Sequence, residues 1–110
     1  MYTSSVEAVV SPSKIEGGRV FDEKDWNEDA NEIDSAYPYS KVVSEKMVRE
    51  FGENNKEKRV VILCPSLVMG PLLNPSPSLC HQPLLAFLSG QYPFVPNIYH
   101  SLIHVKDVAL

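Results

Sequence analysis

The chain has 110 residues, of which 44% are hydrophobic and 22% charged, the make-up of a water-soluble globular protein with room for one core and no second ordinary domain. Its formal net charge of −4 at pH 7 argues against nucleic acid or an anionic membrane surface as the main partner. The glycines are Gly17, Gly18, Gly52, Gly70 and Gly90, and neither common spacing of a glycine-rich phosphate loop can be written with them.

Residues 2–10, rich in β-branched side chains, read as the end of a strand running into a loop, with the strand's first half absent. From Ser11 to Asp34 the turn residues Ser-Pro-Ser and Gly17-Gly18 precede an acidic stretch, a solvated loop pinned by Phe21 and Trp26. A helix is predicted from an N-cap at Ser35 to about Phe51, with Pro38 tolerated in its first turn and Gly52 as a C-terminal cap. Tyr39, Val43, Met47 and Phe51 recur every fourth residue and read as its core-facing stripe. Lys41 with Glu45, and Glu45 with Arg49, make opposite-charge pairs at the same spacing.

After the polar turn at 53–58, the apolar run from Arg59 to Cys64 is predicted to be a parallel strand buried on both faces. Pro65 ends it, and residues 66–77 read as a loop rich in turn formers, placed where open α/β sheets bind ligands. A second helix is predicted from Ser78 to Leu88, with Pro83 placing its regular part later. Pro93 and Pro96 mark an extended connection, residues 102–105 a short strand, and Lys106 to Leu110 the first turn of a helix. The apolar stretches 60–64 and 84–88 fall far short of the ~20 residues that span a bilayer, and the N-terminus does not resemble a secretory signal, so a cytoplasmic, reducing location is expected. Cys64 and Cys80 form no CxxC and are expected to be free thiols.

Tyr37 and Lys41 stand four apart, so both project from one side of one helical turn. An ammonium held beside a phenol favours the phenolate, drawing it below the usual pKa of about 10 and making proton exchange possible near neutral pH. The plainer alternative is that Tyr37 packs on the aliphatic stem of Lys41. Ser4 and Ser5, at a strand end facing a ligand crevice, could hydrogen-bond a carbonyl or alcohol oxygen, or simply satisfy loop backbone groups. His100 and His104 with the two cysteines lack the closely paired thiols of a zinc site, and no metal is expected.

The order of these features resembles the extended branch of the short-chain dehydrogenase/reductase superfamily, and within it reductases similar to dihydroflavonol 4-reductase and cinnamoyl-CoA reductase. The resemblance rests on seven pieces in sequence and covers nearly the whole chain. These are Tyr2-Thr-Ser-Ser5, Phe21-Asp-Glu-Lys-Asp-Trp26, Tyr37-x-x-Ser40-Lys41, Glu45-Lys46, Glu53-Asn-Asn55, Cys64-Pro-Ser-Leu-Val-Met-Gly-Pro71 and Ile103-His-Val-Lys-Asp-Val-Ala109. It implies an α/β fold, the central and catalytic segment of a Rossmann doubly wound parallel sheet occupying residues 1–110, without the N-terminal glycine-rich motif or the C-terminal substrate region.

The resemblance further implies an NADP-dependent carbonyl reductase, NAD being possible, acting on a small-molecule carbonyl or alcohol. Tyr37 is then the catalytic acid/base and Lys41 the residue that holds the nicotinamide ribose and favours the phenolate. Ser5, in preference to Ser4, hydrogen-bonds the reacting oxygen. The backbone of Pro65, Leu67 and Val68 meets the nicotinamide carboxamide, and Ser78 approaches the cofactor phosphates. Nucleotide-sugar epimerases or dehydratases and 3β-hydroxysteroid dehydrogenase-like enzymes share this chemistry and stay open as alternatives, as does a non-catalytic dinucleotide-sensing or interaction module. A fragment of a longer reductase is favoured over a short protein that has lost catalysis.

Overall fold

The computed structural model describes residues 1–72, 74–95 and 100–109, and the chain forms two compact units, Met1–Pro65 and Ser66–Leu110. In the first, strand β1 (Tyr2–Thr3) and strand β2 (Ile62–Leu63) pair in parallel, with Tyr2 opposite Ile62 and Thr3 opposite Leu63. The ladder outruns both strands. The N–H groups of Tyr2, Ser4 and Val6 donate to the carbonyls of Val61, Leu63 and Pro65 at 2.9, 2.7 and 3.1 Å. A parallel pair needs a crossover, and helix α1 (Ala36–Asn54) lies within it, giving the β-α-β order expected of an α/β fold. Ile62 and Leu63 are half-buried rather than buried on both faces as the apolar run predicts, because a two-stranded pair leaves edge and face partly open.

Helix α1 begins after Ser35, as its sequence predicts, but the Ser35 side chain does not cap it. The Ser35 hydroxyl accepts from the Asn31 N–H at 2.8 Å and donates to the Asn31 carbonyl at 3.2 Å, while Asn31 Oδ1 accepts from the N–H groups of Ile33 and Asp34. An Asx-type turn thus consumes the hydroxyl. At the other end Gly52 is no cap, since the helix continues to Asn54 and closes with the Asn55 side-chain amide donating to the Phe51 carbonyl at 2.8 Å. Gly52 instead faces Val60, where an added Cβ would meet Val60 Cγ2 at 3.0 Å.

The predicted core stripe of α1 is also corrected. Tyr39, Val43, Met47 and Phe51 are exposed, Met47 by 64%, and the buried helix residues are Val42 and Glu45. Among the described residues the only buried apolar side chains are Ala8, Val9 and Val42, accompanied by the polar Ser4, Ser5, Ser11, Asn27 and Glu45. Ser11 and Asn27 fix the acidic segment. The Ser11 hydroxyl donates to the Trp26 carbonyl at 3.2 Å and accepts from the Glu28 N–H at 2.9 Å. Asn27 donates from its amide nitrogen to the Glu7 carbonyl at 2.9 Å, and its backbone N–H donates to the Ala8 carbonyl at 2.9 Å. Buried amide and hydroxyl groups need such partners, so a segment without regular α-helix or strand still has a defined course.

In the second unit, strand β3 (Leu67–Met69) pairs in parallel with strand β4 (Leu102–His104), Leu67 opposite Leu102 and Met69 opposite His104. The turn formers of residues 66–77 predict a loop here rather than a strand. Four residues between Pro65 and the Gly70-Pro71 step are too few to show a period, and pairing with β4 decides the conformation of the last three. Gly70 is required next: a Cβ there would lie 2.4 Å from Val105 Cγ1 at the start of helix α3 (Val105–Ala109). Helix α2 (Gln82–Leu88) starts four residues later than Ser78, with Pro83 in its first turn as proline geometry favours. It ends in a Schellman arrangement, Gly90 at φ +72° with its N–H on the Phe87 carbonyl and the Gln91 N–H on the Ala86 carbonyl. Pro96 and Leu110 lie outside the described residues. No helix among the described residues is long and apolar enough to cross a membrane.

Candidate active site

Tyr37 and Lys41 occupy the first two turns of α1, where i,i+4 spacing brings them together on one side. The Lys41 ammonium stands 5.7 Å from the centroid of the Tyr37 ring and donates to the Thr3 carbonyl at 3.4 Å. That carbonyl is the last of β1, so the lysine ties the tyrosine-bearing turn to the end of the strand from which Ser4 and Ser5 continue. Tyr37 itself is 56% exposed, leaving its ring accessible to a ligand.

Ser5 sits in extended backbone as the N-cap of a short 3-10 turn, Val6–Ala8, and its buried hydroxyl accepts from the Glu7 N–H at 3.2 Å. A hydroxyl that accepts there still has its own proton to donate. Ser4 has another environment. Its hydroxyl is buried, lacks a partner at full hydrogen-bonding geometry, and lies beside Glu45 and Cys64. Neighbouring serines at one strand end are therefore not equivalent.

Glu45 is the group that sequence reasoning undervalued. It is completely buried, with Oε1 accepting from Arg49 Nε at 3.0 Å and Nη2 at 2.6 Å, and Oε2 accepting from the Cys64 thiol at 3.5 Å. Burial by itself would raise its pKa. The Ser4 hydroxyl beside it, the hydrogen bonds from Arg49 and Cys64 and the positive charge of Arg49 outweigh that and hold the carboxyl below the usual glutamate range. The Cys64 thiol is pushed the other way, by burial first and then by the Glu45 charge, so it stays protonated and unreactive at neutral pH. The partner expected for Glu45 at i−4, Lys41, is turned instead to Thr3. Arg49 extends the cluster by donating to the Glu23 carbonyl at 3.1 Å and lying 5.0 Å from the Trp26 ring centroid. Beyond it a cleft of about 370 Å³ opens among Glu23, Trp26, Lys46 and Glu53, lined by neither Ser5, Tyr37 nor Lys41.

Of the residues assigned to cofactor contact, Pro65 ends the first unit, and its carbonyl accepts the Val6 N–H. Leu67 and Val68 lie in β3 of the second, where the Leu67 N–H donates to the Ser101 carbonyl at 3.3 Å. Ser78 is exposed in the turn before α2 and borders a cleft of about 330 Å³ walled by Val68, Pro71 and Leu72. Its hydroxyl lies 2.7 Å from His81 Nδ1, and His81 Nε2 lies 3.0 Å from the Gly70 carbonyl. Nothing singled out His81 beforehand; its signal is a Ser-x-x-His spacing across a turn. Among its described residues the cleft of the second unit offers hydroxyls and apolar walls with no Asp or Glu to repel a phosphate, which fits a dinucleotide phosphate. The first unit, by itself, offers an accessible phenol and an ammonium.

Residues 2–99 match the NAD-binding family model described as male sterility protein. The chain is 32% identical over 112 residues to cinnamoyl-CoA reductase 2 of Medicago truncatula, 31% over 120 residues to noscapine synthase SDR1 of Papaver somniferum, and 30% over 123 residues to anthocyanidin reductase of Arabidopsis thaliana. These alignments take in 100%, 100% and 99% of this chain but 33%, 34% and 36% of the relatives, so the chain spans about a third of their length.

Proposed function

Since this chain belongs to the NAD-binding, extended short-chain dehydrogenase/reductase family, we propose that it carries the proton-transfer machinery of an NADP-dependent carbonyl reductase, with NAD as the other possible cofactor. The observation that carries the reading is the Tyr37–Lys41 pair on α1, anchored through Lys41 to the Thr3 carbonyl beside Ser4 and Ser5. When bound, the nicotinamide supplies the hydride. Tyr37 donates the proton that the carbonyl oxygen needs as it becomes an alcohol, and Ser5, whose proton is uncommitted, donates a hydrogen bond to the same oxygen. Lys41 holds the nicotinamide ribose, and Ser78 with the Pro65, Leu67 and Val68 backbone orients the rest of the cofactor. The place of Ser4 beside Glu45 supports Ser5 in preference to Ser4 for the oxygen contact. The substrate is a small carbonyl or alcohol compound, and two of the relatives carry the word reductase in their names.

The experiment is Tyr37→Phe in the full-length protein. Removing one oxygen should lower turnover by about 10²- to 10⁴-fold, the range for a general acid. NADPH affinity, read by quenching of protein fluorescence, should stay within a few-fold. Unchanged turnover would overturn the assignment.

A further inference from the structure

The His81 ring has both nitrogens engaged, and the chemistry of the partners fixes which nitrogen carries the proton. A backbone carbonyl can only accept, so the 3.0 Å contact to Gly70 requires a proton on Nε2. In the neutral ring Nδ1 is then an acceptor, and the 2.7 Å contact is Ser78 donating its hydroxyl proton to Nδ1. In that state the exposed Ser78 hydroxyl has no proton left to offer an anion. A phosphate oxygen, itself an acceptor, would meet only lone pairs.

We propose that His81 is a cofactor-binding residue that takes up one proton when a dinucleotide phosphate binds at Ser78; this rests on the reading that Ser78 contacts that phosphate. A proton from solvent adds to Nδ1, which now donates to Ser78 Oγ. The Ser78 O–H, released, turns outward to donate to the phosphate oxygen, and Nε2–H stays on the Gly70 carbonyl. No bond of the cofactor changes, one proton is consumed, and the gained positive charge sits one hydroxyl away from the phosphate. Two further observations support the arrangement. Among the described residues that line the cleft the titratable groups are Cys80 and His81, and these described residues include no carboxylate to compete for the imidazolium and no Lys or Arg to supply the charge already. From β4 and α3 the nearby groups are His104, Lys106 and Asp107, none lining the cleft, and His104 Nδ1 is occupied in accepting the Lys106 N–H at 3.2 Å.

The test is calorimetric titration of NADPH into the full-length protein near neutral pH in Pipes and in Tris, whose differing ionisation enthalpies report the protons exchanged. The wild type should take up more protons than His81→Asn, by up to one per NADPH bound. Its Kd should weaken with rising pH relative to that variant, approaching about tenfold per pH unit for one linked proton. Ser78→Ala, which leaves the His81 to Gly70 contact intact, should lose the same uptake and guards against a folding defect in His81→Asn. NADPH binding that is weakened by Ser78→Ala, with equal proton exchange in wild type and His81→Asn, would overturn the proposal while leaving the Ser78 reading in place. NADPH affinity and proton exchange both unchanged in Ser78→Ala would overturn that reading and the proposal with it.

Discussion

Replacing Glu45 tests whether the buried polar cluster holds the strand ends against α1. In Glu45→Ala the Arg49 guanidinium loses both of its bonds to Oε1, the Cys64 thiol loses its acceptor, and Ser4 loses the carboxylate beside it. Breaking a buried ion pair from one side costs about 3–5 kcal/mol. The Arg49 side chain is 37% exposed and water can reach it, which brings the expected loss below that range, to about 2–3 kcal/mol. Against a total stability of ~5–15 kcal/mol this is large. Urea unfolding of the full-length protein should register it as a lower midpoint. Glu45→Gln, which keeps the shape and one acceptor, should lose less. A double-mutant cycle with Arg49→Met should give a coupling of at least about 0.5 kcal/mol. The pH dependence has a definite sign. A glutamate whose folded-state pKa is depressed stabilises the fold above its unfolded value near ~4.3, and that contribution disappears as pH falls through the folded value. Wild type should therefore lose stability on acidification more steeply than Glu45→Gln. A Glu45→Ala variant within about 0.5 kcal/mol of wild type, with parallel acid profiles, would refute the reasoning.

Gly70→Ala should destabilise the full-length protein by about 1–3 kcal/mol in thermal melts, since its Cβ would press 2.4 Å from Val105 Cγ1, and Val105→Ala in the same chain should recover part of the loss. Gly90→Ala should lower stability by about 1 kcal/mol, because alanine must adopt φ +72° to preserve the C-terminal bonds of α2. The Cys64 thiol should react slowly with a thiol reagent at pH 7, and faster in Glu45→Gln, where the neighbouring charge that raises its pKa has gone.

Much of the chain's local structure was legible from residue types. The strand end at Tyr2, the strand near Ile62 and the delay of α2 by Pro83 each follow from one strong local signal, a β-branched run or a proline, and α1 starts where Ser35 marks it although the Ser35 hydroxyl is spent on Asn31. What was not legible depends on partners far along the chain. β3 exists because of β4, more than thirty residues away in sequence, and Gly52 serves Val60 rather than the helix end. Tyr37 and Lys41 stand out by their Tyr-x-x-x-Lys spacing and Ser5 by its place at a strand end, whereas His81 is visible only once a turn places its ring between Ser78 and Gly70.

The orientation of α1 follows from its geometry. Tyr37, Lys41, Glu45 and Arg49 form one i,i+4 row; Tyr39, Val43, Met47 and Phe51 form another, displaced by two residues. At 3.6 residues per turn that displacement is roughly 200°, so the rows lie on opposite sides and only one can face the strands. Counting apolar residues selects the second row. The first prevails because every long side chain in it below Tyr37 finds a specific partner: Lys41 the Thr3 carbonyl, Glu45 the Cys64 thiol and Arg49, and Arg49 the Glu23 carbonyl. A charged row can be turned inward when its members neutralise one another and satisfy backbone acceptors, and an unpaired one cannot. The same row carries Tyr37 at its open end, so the contacts that set the rotation of α1 also set where its phenol is presented.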